Sequence, residues 1–171
     1  MPDQSVKVSL ELVGQTALES YFDHLSHVPD DWRGAWDPMA EDFRTAEAET
    51  FGEEGPGWAP LRPRYAKWKS KHYPGMPLLV RTGALELSLT DPFADGAINE
   101  INPTWMELGT DLKTTNKSGK QYTLGMLHQT GTRRGMPARP PIIIRPTLQK
   151  TWNRRLAQWL RDEIGYDGGD R

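Results

Sequence analysis

Glycine and proline cut this chain into short pieces, and that punctuation restricts it to brief helices and strands. One apolar-periodic stretch must stop before Pro29 and another at Gly52, where Gly55 and Gly57 follow. A third must stop at Pro74 and Gly75, and a fourth at Asp91 and Pro92. Within those limits the hydrophobic spacing changes from piece to piece. Val6, Val8, Leu10 and Leu12 alternate with Lys7, Ser9 and Glu11, which predicts a strand with one buried face. Leu18, Tyr21, Phe22 and Leu25 fall at helical intervals, which predicts an amphipathic helix.

The loop "DDWRGAW" separates that helix from a second one. Asp37 as cap and Pro38 at the first helical position predict its start, Met39, Phe43 and Ala46 form its apolar face, and it runs to about Thr50. Pro63 opens a short helix in which Tyr65, Trp68 and His72 share a face, and Thr82 caps "GALELSL". "AINEINPTWMELGT" reads as a hairpin, "LKTTNKSGKQ" as a mobile basic loop, and "YTLGMLHQTG" as a weak helix with Tyr122, Met126 and Gln129 on one side. "MPARPPI" must be extended, and "IIIR" is a buried strand-like run. A last helix opens near Pro146 with Leu148, Trp152, Leu156, Trp159 and Leu160 inward and Lys150, Arg154 and Arg161 outward. The expected fold is α+β, a small mixed or antiparallel sheet packed with four to five helices. It forms a single domain over residues 1–171 with an extended basic loop and a short tail from residue 165.

At 171 residues such a chain can bury a core without staples. It has no cysteine, so disulfides, thiolate metal sites and a cysteine nucleophile are excluded. The first fifteen residues lack the basic-then-apolar pattern of a signal peptide, so synthesis in a cytoplasm is expected. Net charge is only -2, but it is unevenly laid out. Residues 1–57 carry thirteen Asp/Glu against three Lys/Arg, whereas residues 113–161 carry eleven Lys/Arg and no acid. That separation suits head-to-tail association of copies, or an acidic partner for the basic part, unless folding interleaves the two.

Catalytic readings are weak. Glu53 and Glu54 flank glycines on a bend and are expected to point apart into solvent, whereas a working carboxylate pair needs burial or mutual repulsion to split its pKa values. His24 and His27 lack a third ligand at a metal-binding spacing, and His128 has no serine elbow to serve. "GEEGPG" is acidic and would repel phosphate. No catalytic residue, metal site or cofactor is therefore expected.

Four blocks taken in order, "FGEEGPGWAPLRPRYAKWK", "LLVRTGALELSL", "LGMLHQTG" and "MPARPPI", resemble the signature of the phage virion morphogenesis family, which includes tail-completion proteins of Mu-like and lambda-like tailed phages. The matching positions are Phe51, Gly57, Trp58, Pro60, Leu61, Tyr65 and Lys69 in the first block and Leu79, Thr82, Gly83, Leu85 and Ser88 in the second. His128, Gln129 and Gly131 match in the third, and Pro137, Ala138, Arg139 and Pro140 in the last. The likeness covers about residues 37–145. The basic loop is longer than the family's usual link, and "YTLGML" replaces a common Tyr-Ala pair.

The resemblance implies a structural neck protein without enzymatic activity, assembled as a ring, commonly a hexamer, at the head-proximal end of the tail and enabling head-tail joining. Its expected partners are its own copies, a tail terminator or tail tube protein, head connector or stopper proteins, and genomic DNA passing non-specifically through the lumen. No membrane or small-molecule partner is expected. On that reading Trp58, Leu61 and Tyr65 pack on the helix before Phe51. Arg133, Arg134, Arg139, Lys113, Lys117 and Lys120 are candidate contacts between subunits or with partners, and Arg139 pairs with an acid. The alternatives are a tail terminator or other head-tail connector, and a sequence-independent DNA-binding module using the basic C-terminal third.

Overall fold

The computed structural model describes residues 6–9 (backbone only), 30–133 and 135–163, so the helix expected around Leu18–Leu25 lies outside the described residues. The described residues form an α+β fold with two small antiparallel sheets and five helices. In chain order these are β1 (Val6–Ser9), α1 (Arg33–Gly52), α2 (Pro63–His72), α3 (Ala84–Thr90), β2 (Ala97–Ile101) and β3 (Met106–Thr110). They are followed by β4 (Lys113–Thr115), β5 (Gln121–Thr123), α4 (Leu124–Thr130) and α5 (Pro146–Glu163). The first sheet has order β1-β3-β2, with Val6 opposite Thr110 and Ile101 opposite Met106. The expected hairpin across "NPT" is therefore formed, closed by the Asn102 amide on the Trp105 carbonyl at 2.9 Å.

α1 starts five residues earlier than Asp37-Pro38 predicts, and Pro38 sits inside it. The start is set by Asp31, whose carboxylate accepts from the Arg33 amide at 3.0 Å, and by the Trp32 amide bonded to the Pro103 carbonyl at 2.7 Å. Extending the helix buries Ala35 and Trp36, stacks Trp32 on Trp36 and sets it in tilted contact with Trp159. That aromatic burial offsets the one helical bond that proline removes. At the other end Phe51 is fully buried with the Trp58 indole edge-on to it, 5.8 Å between ring centroids.

α5 runs antiparallel to α1. Arg145 pairs with Glu53 at 2.9 Å at one end, Arg155 holds Asp42 through two bonds in the middle, and Trp159 lies on Trp32 at the other. Trp152 and Leu156 are buried against α1, so these C-terminal tryptophans are core. The two ion pairs also join the acidic half to the basic half inside one subunit, so the charge separation read along the chain is partly interleaved by folding. α3 rests on the sheet, where the buried Ser88 and Thr110 hydroxyls share a 2.8 Å hydrogen bond.

Three other expectations are corrected. The basic segment expected as a mobile loop is the β4–β5 hairpin, because the Asn116 side-chain oxygen accepts from the amides of Ser118 and Lys120 and from the Ser118 hydroxyl, closing a tight turn. Tyr122 belongs to β5, not to the helix after it. "IIIR" joins no sheet either, since its partner is a side chain: Gln129 donates to the Ile142 carbonyl at 3.2 Å and accepts from its amide at 3.4 Å.

Candidate functional site

The signature blocks converge at the end of α1. Past Gly52 the chain turns through Gly55, whose φ of +70° and lack of a side chain let the Trp58 ring lie directly on it. The Trp58 indole N–H then reaches the Pro140 carbonyl at 3.0 Å, tying the first block to the last. Arg139 is 4% exposed, and its guanidinium donates to the carbonyls of Ala59 at 2.6 Å and Pro60 at 2.9 Å. Its own amide donates to the His128 carbonyl at 2.8 Å, which binds the third block to the fourth. Arg139 is thus satisfied within its subunit by backbone oxygens, not by an acid, and it presents no surface for a neighbouring copy. Gly131 closes α4, and the chain beyond it folds back through the Thr132 amide on the Met136 carbonyl at 2.9 Å.

In front of this framework lies a cleft of about 460 Å³. Signature residues line much of it: Leu61, Tyr65 and Lys69 from α2 and its approach, Thr82, Gly83 and Leu85 from the start of α3, and His128, Pro137 and Arg139 from the opposite wall. Phe51, Gly57, Trp58, Pro60, Gln129 and Gly131 stand outside the lining. Leu61 and Tyr65 therefore do not pack on α1 as expected. They line the cleft, while Trp58 packs on Phe51. Tyr65 remains 42% exposed and stacks on Trp68, which stacks in turn on His72, so the shared face of α2 is an open aromatic ladder.

Glu54 and Glu53 do point apart. Glu54 accepts from the Leu78 amide at 2.9 Å and Glu53 pairs with Arg145. Glu54 thereby steadies the turn that holds Leu79 at a φ of +61°, uncommon for a branched side chain, with Leu79 in the cleft wall. Lys69 braces the same turn through its ammonium on the Pro77 carbonyl, and burial pushes its pKa down.

The cleft is cationic. Arg62, Lys69, Arg81 and Arg139 line it, and among the described residues no carboxylate does. Arg62 donates to the Gly135 carbonyl at 2.6 Å, whereas Arg81 has no hydrogen bond or ion pair among the described residues. His128 stays neutral near pH 7, because burial and the neighbouring Arg139 charge hold its pKa down at about 4. Its Nδ1 is buried without a partner among the described residues. Chemically, such a wall suits a carboxylate-bearing, partly apolar group.

Sequence reading did not find this cleft, nor Arg62 and Arg81, since it is built by three separated segments whose meeting no spacing encodes. It also missed Glu47, which is fully buried on α1 with neither carboxyl oxygen in a well-formed hydrogen bond among the described residues. Burial pushes its pKa up to about 8 despite the opposing Ile143 amide and Arg145 charge. The available signal was spacing, because Glu47 lies one helical step beyond Phe43 on the apolar face.

Of the other candidates, Lys113, Lys117 and Lys120 are exposed on the β4–β5 hairpin, none of them in the cleft lining, and Lys113 lies 3.6 Å from Asp111. Arg133 is exposed beyond α4, and Arg134 lies outside the described residues. Among the described residues no group of three His, Cys, Asp or Glu could hold a metal, and no helix is long and apolar enough to cross a membrane. No protein-family model, curated protein or solved structure matches this chain.

Proposed function

We propose that the chain is a structural tail-completion or neck protein of a tailed phage, working as a ring of like subunits at the head-proximal end of the tail and without catalysis. The observation that carries this reading is the convergence of the four resembling blocks on one framework. Trp58 binds Pro140, Arg139 binds Ala59 and Pro60, and Gln129 binds Ile142, so the motif residues serve packing and wall-building. The deciding experiment is electron microscopy of lysates from phage lacking the gene. Full heads beside unattached tails of normal length are expected. Overlong tails would move the role to length termination, and normal particles would overturn the neck reading.

A second reading is favoured by the hairpin, whose exposed Lys113, Lys117 and Lys120 suit sequence-independent contact with phosphates. A filter-binding titration with duplex DNA separates the two. Binding that collapses steeply between low and near-physiological salt supports the DNA module, and no binding at either supports pure assembly.

A further inference from the structure

The cleft combines apolar walls with two arginines at its rim, of which Arg81 has no partner among the described residues. A short extended segment fits. Its chemistry is fixed by the walls: carboxylates for Arg62 and Arg81, and an aliphatic or aromatic group for Leu79, Leu85 and Tyr65.

The C-terminal stretch of this chain has that composition. "DEIGYDGGDR", residues 162–171, brings Asp162, Glu163, Asp167 and Asp170 against a single arginine, with Ile164 and Tyr166 between them. It cannot readily reach the cleft of its own subunit. α5 leaves the Arg139 framework at Pro146 and runs away from it along α1 for eighteen residues, about 27 Å. Residues 164–171 would need nearly their full stretch, about 28 Å, just to come back to that level. A second copy meets no such constraint.

We infer that the cleft is a docking site for the acidic segment 162–171 of a second copy of this chain, so that each subunit grips the next through its Arg62 and Arg81 wall. The contact is heterologous, one surface on a different surface, the type that closes rings. It rests on the ring reading above only in needing copies to meet.

The absence of cysteine makes the test direct. Protein carrying Thr82→Cys is mixed with size-tagged protein carrying Tyr166→Cys, oxidised mildly, and resolved on a non-reducing gel, while light scattering reports the oligomeric state. The mixed disulfide dimer is expected to exceed either homodimer about tenfold. Adding Arg62→Glu and Arg81→Glu to the first protein should remove that excess, and Asp167→Arg with Asp170→Arg on the second should restore it, which a misfolded cleft would not allow. If the protein is oligomeric but no mixed dimer forms, the docking contact is wrong and the ring reading stands. A monomer without cross-links overturns both. A chain doubly substituted with Thr82→Cys and Tyr166→Cys that locks only on itself overturns the second-copy assignment.

Discussion

The guanidinium Nε of Arg139 lies 2.6 Å from the carbonyl oxygen of Ala59, eighty residues earlier in the chain. With the Nη2 bond to Pro60, this turns a motif arginine into an internal brace that joins the Gly-rich turn to the extended segment before α5. A planar fork serves two adjacent carbonyls and an ammonium serves them poorly. Arg139→Lys is therefore expected to lower stability by about 2 kcal/mol, read as a shifted urea midpoint. The exposed Arg133→Lys should leave the midpoint unchanged. Charge reversal at Arg139 is expected to unfold the subunit and so reports nothing on contacts between copies.

Gly55 and Gly57 share the left-handed conformation, with φ of +70° and +77°, but differ in surroundings. A Cβ on Gly55 would fall 2.1 Å from the buried Trp58 ring, whereas nothing lies within 4 Å of one on Gly57. Gly57→Ala is expected to cost about 1 kcal/mol of backbone strain, and Gly55→Ala to cost about 3 kcal/mol because the indole must move as well. Thermal unfolding of the two variants checks the ranking. Equal losses would mean that Trp58 is free to shift.

What the sequence made legible was local, and what it hid was made by distant partners. Pro63, Pro74, Asp91 and Pro146 marked helix ends where the structure has them, because caps and stops act within one turn. Asp37-Pro38 misled because tryptophan stacking on α5 extended α1 backwards through a proline. Ile142 carried the right strand composition, yet its backbone is paired by the Gln129 side chain, a relation no periodicity reports. The same holds for the site. Its residue types were visible, but Tyr65 was placed on α1, not in a cleft, because that choice depends on where the 131–139 segment returns.

The β4–β5 hairpin depends on one side chain. Asn116 gathers the Ser118 and Lys120 amides, so Asn116→Ala is expected to free the 116–120 turn. The hairpin is exposed, and global stability should fall by about 0.5 kcal/mol or less. Amide hydrogen exchange checks this: protection at Thr114 and Tyr122 should vanish while Leu108 keeps its own. Loss at Leu108 would show that the hairpin is a cooperative part of the core.

Two buried groups give stability a predictable pH profile. Glu47 is held up at about 8 against an ordinary 4.5, so the unfolded chain releases this proton first. Its contribution is fully present below pH 4.5 and is lost as pH rises to 8. His128 is held down at about 4 against 6.5, so the unfolded chain takes up that proton first. Its contribution is present above pH 6.5 and is lost as pH falls to 4. Between about 4.5 and 6.5 the two slopes oppose and nearly cancel, which places a plateau there, a decline above it from Glu47 alone, and a decline just below it from His128. Glu47→Gln should flatten the alkaline side, raising Tm at pH 8 relative to wild type by more than at pH 5. His128→Gln should flatten the acid side and leave pH 8 unaffected. An alkaline decline that survives Glu47→Gln would mean that Glu47 is already ionised in the folded chain and that another group carries the slope.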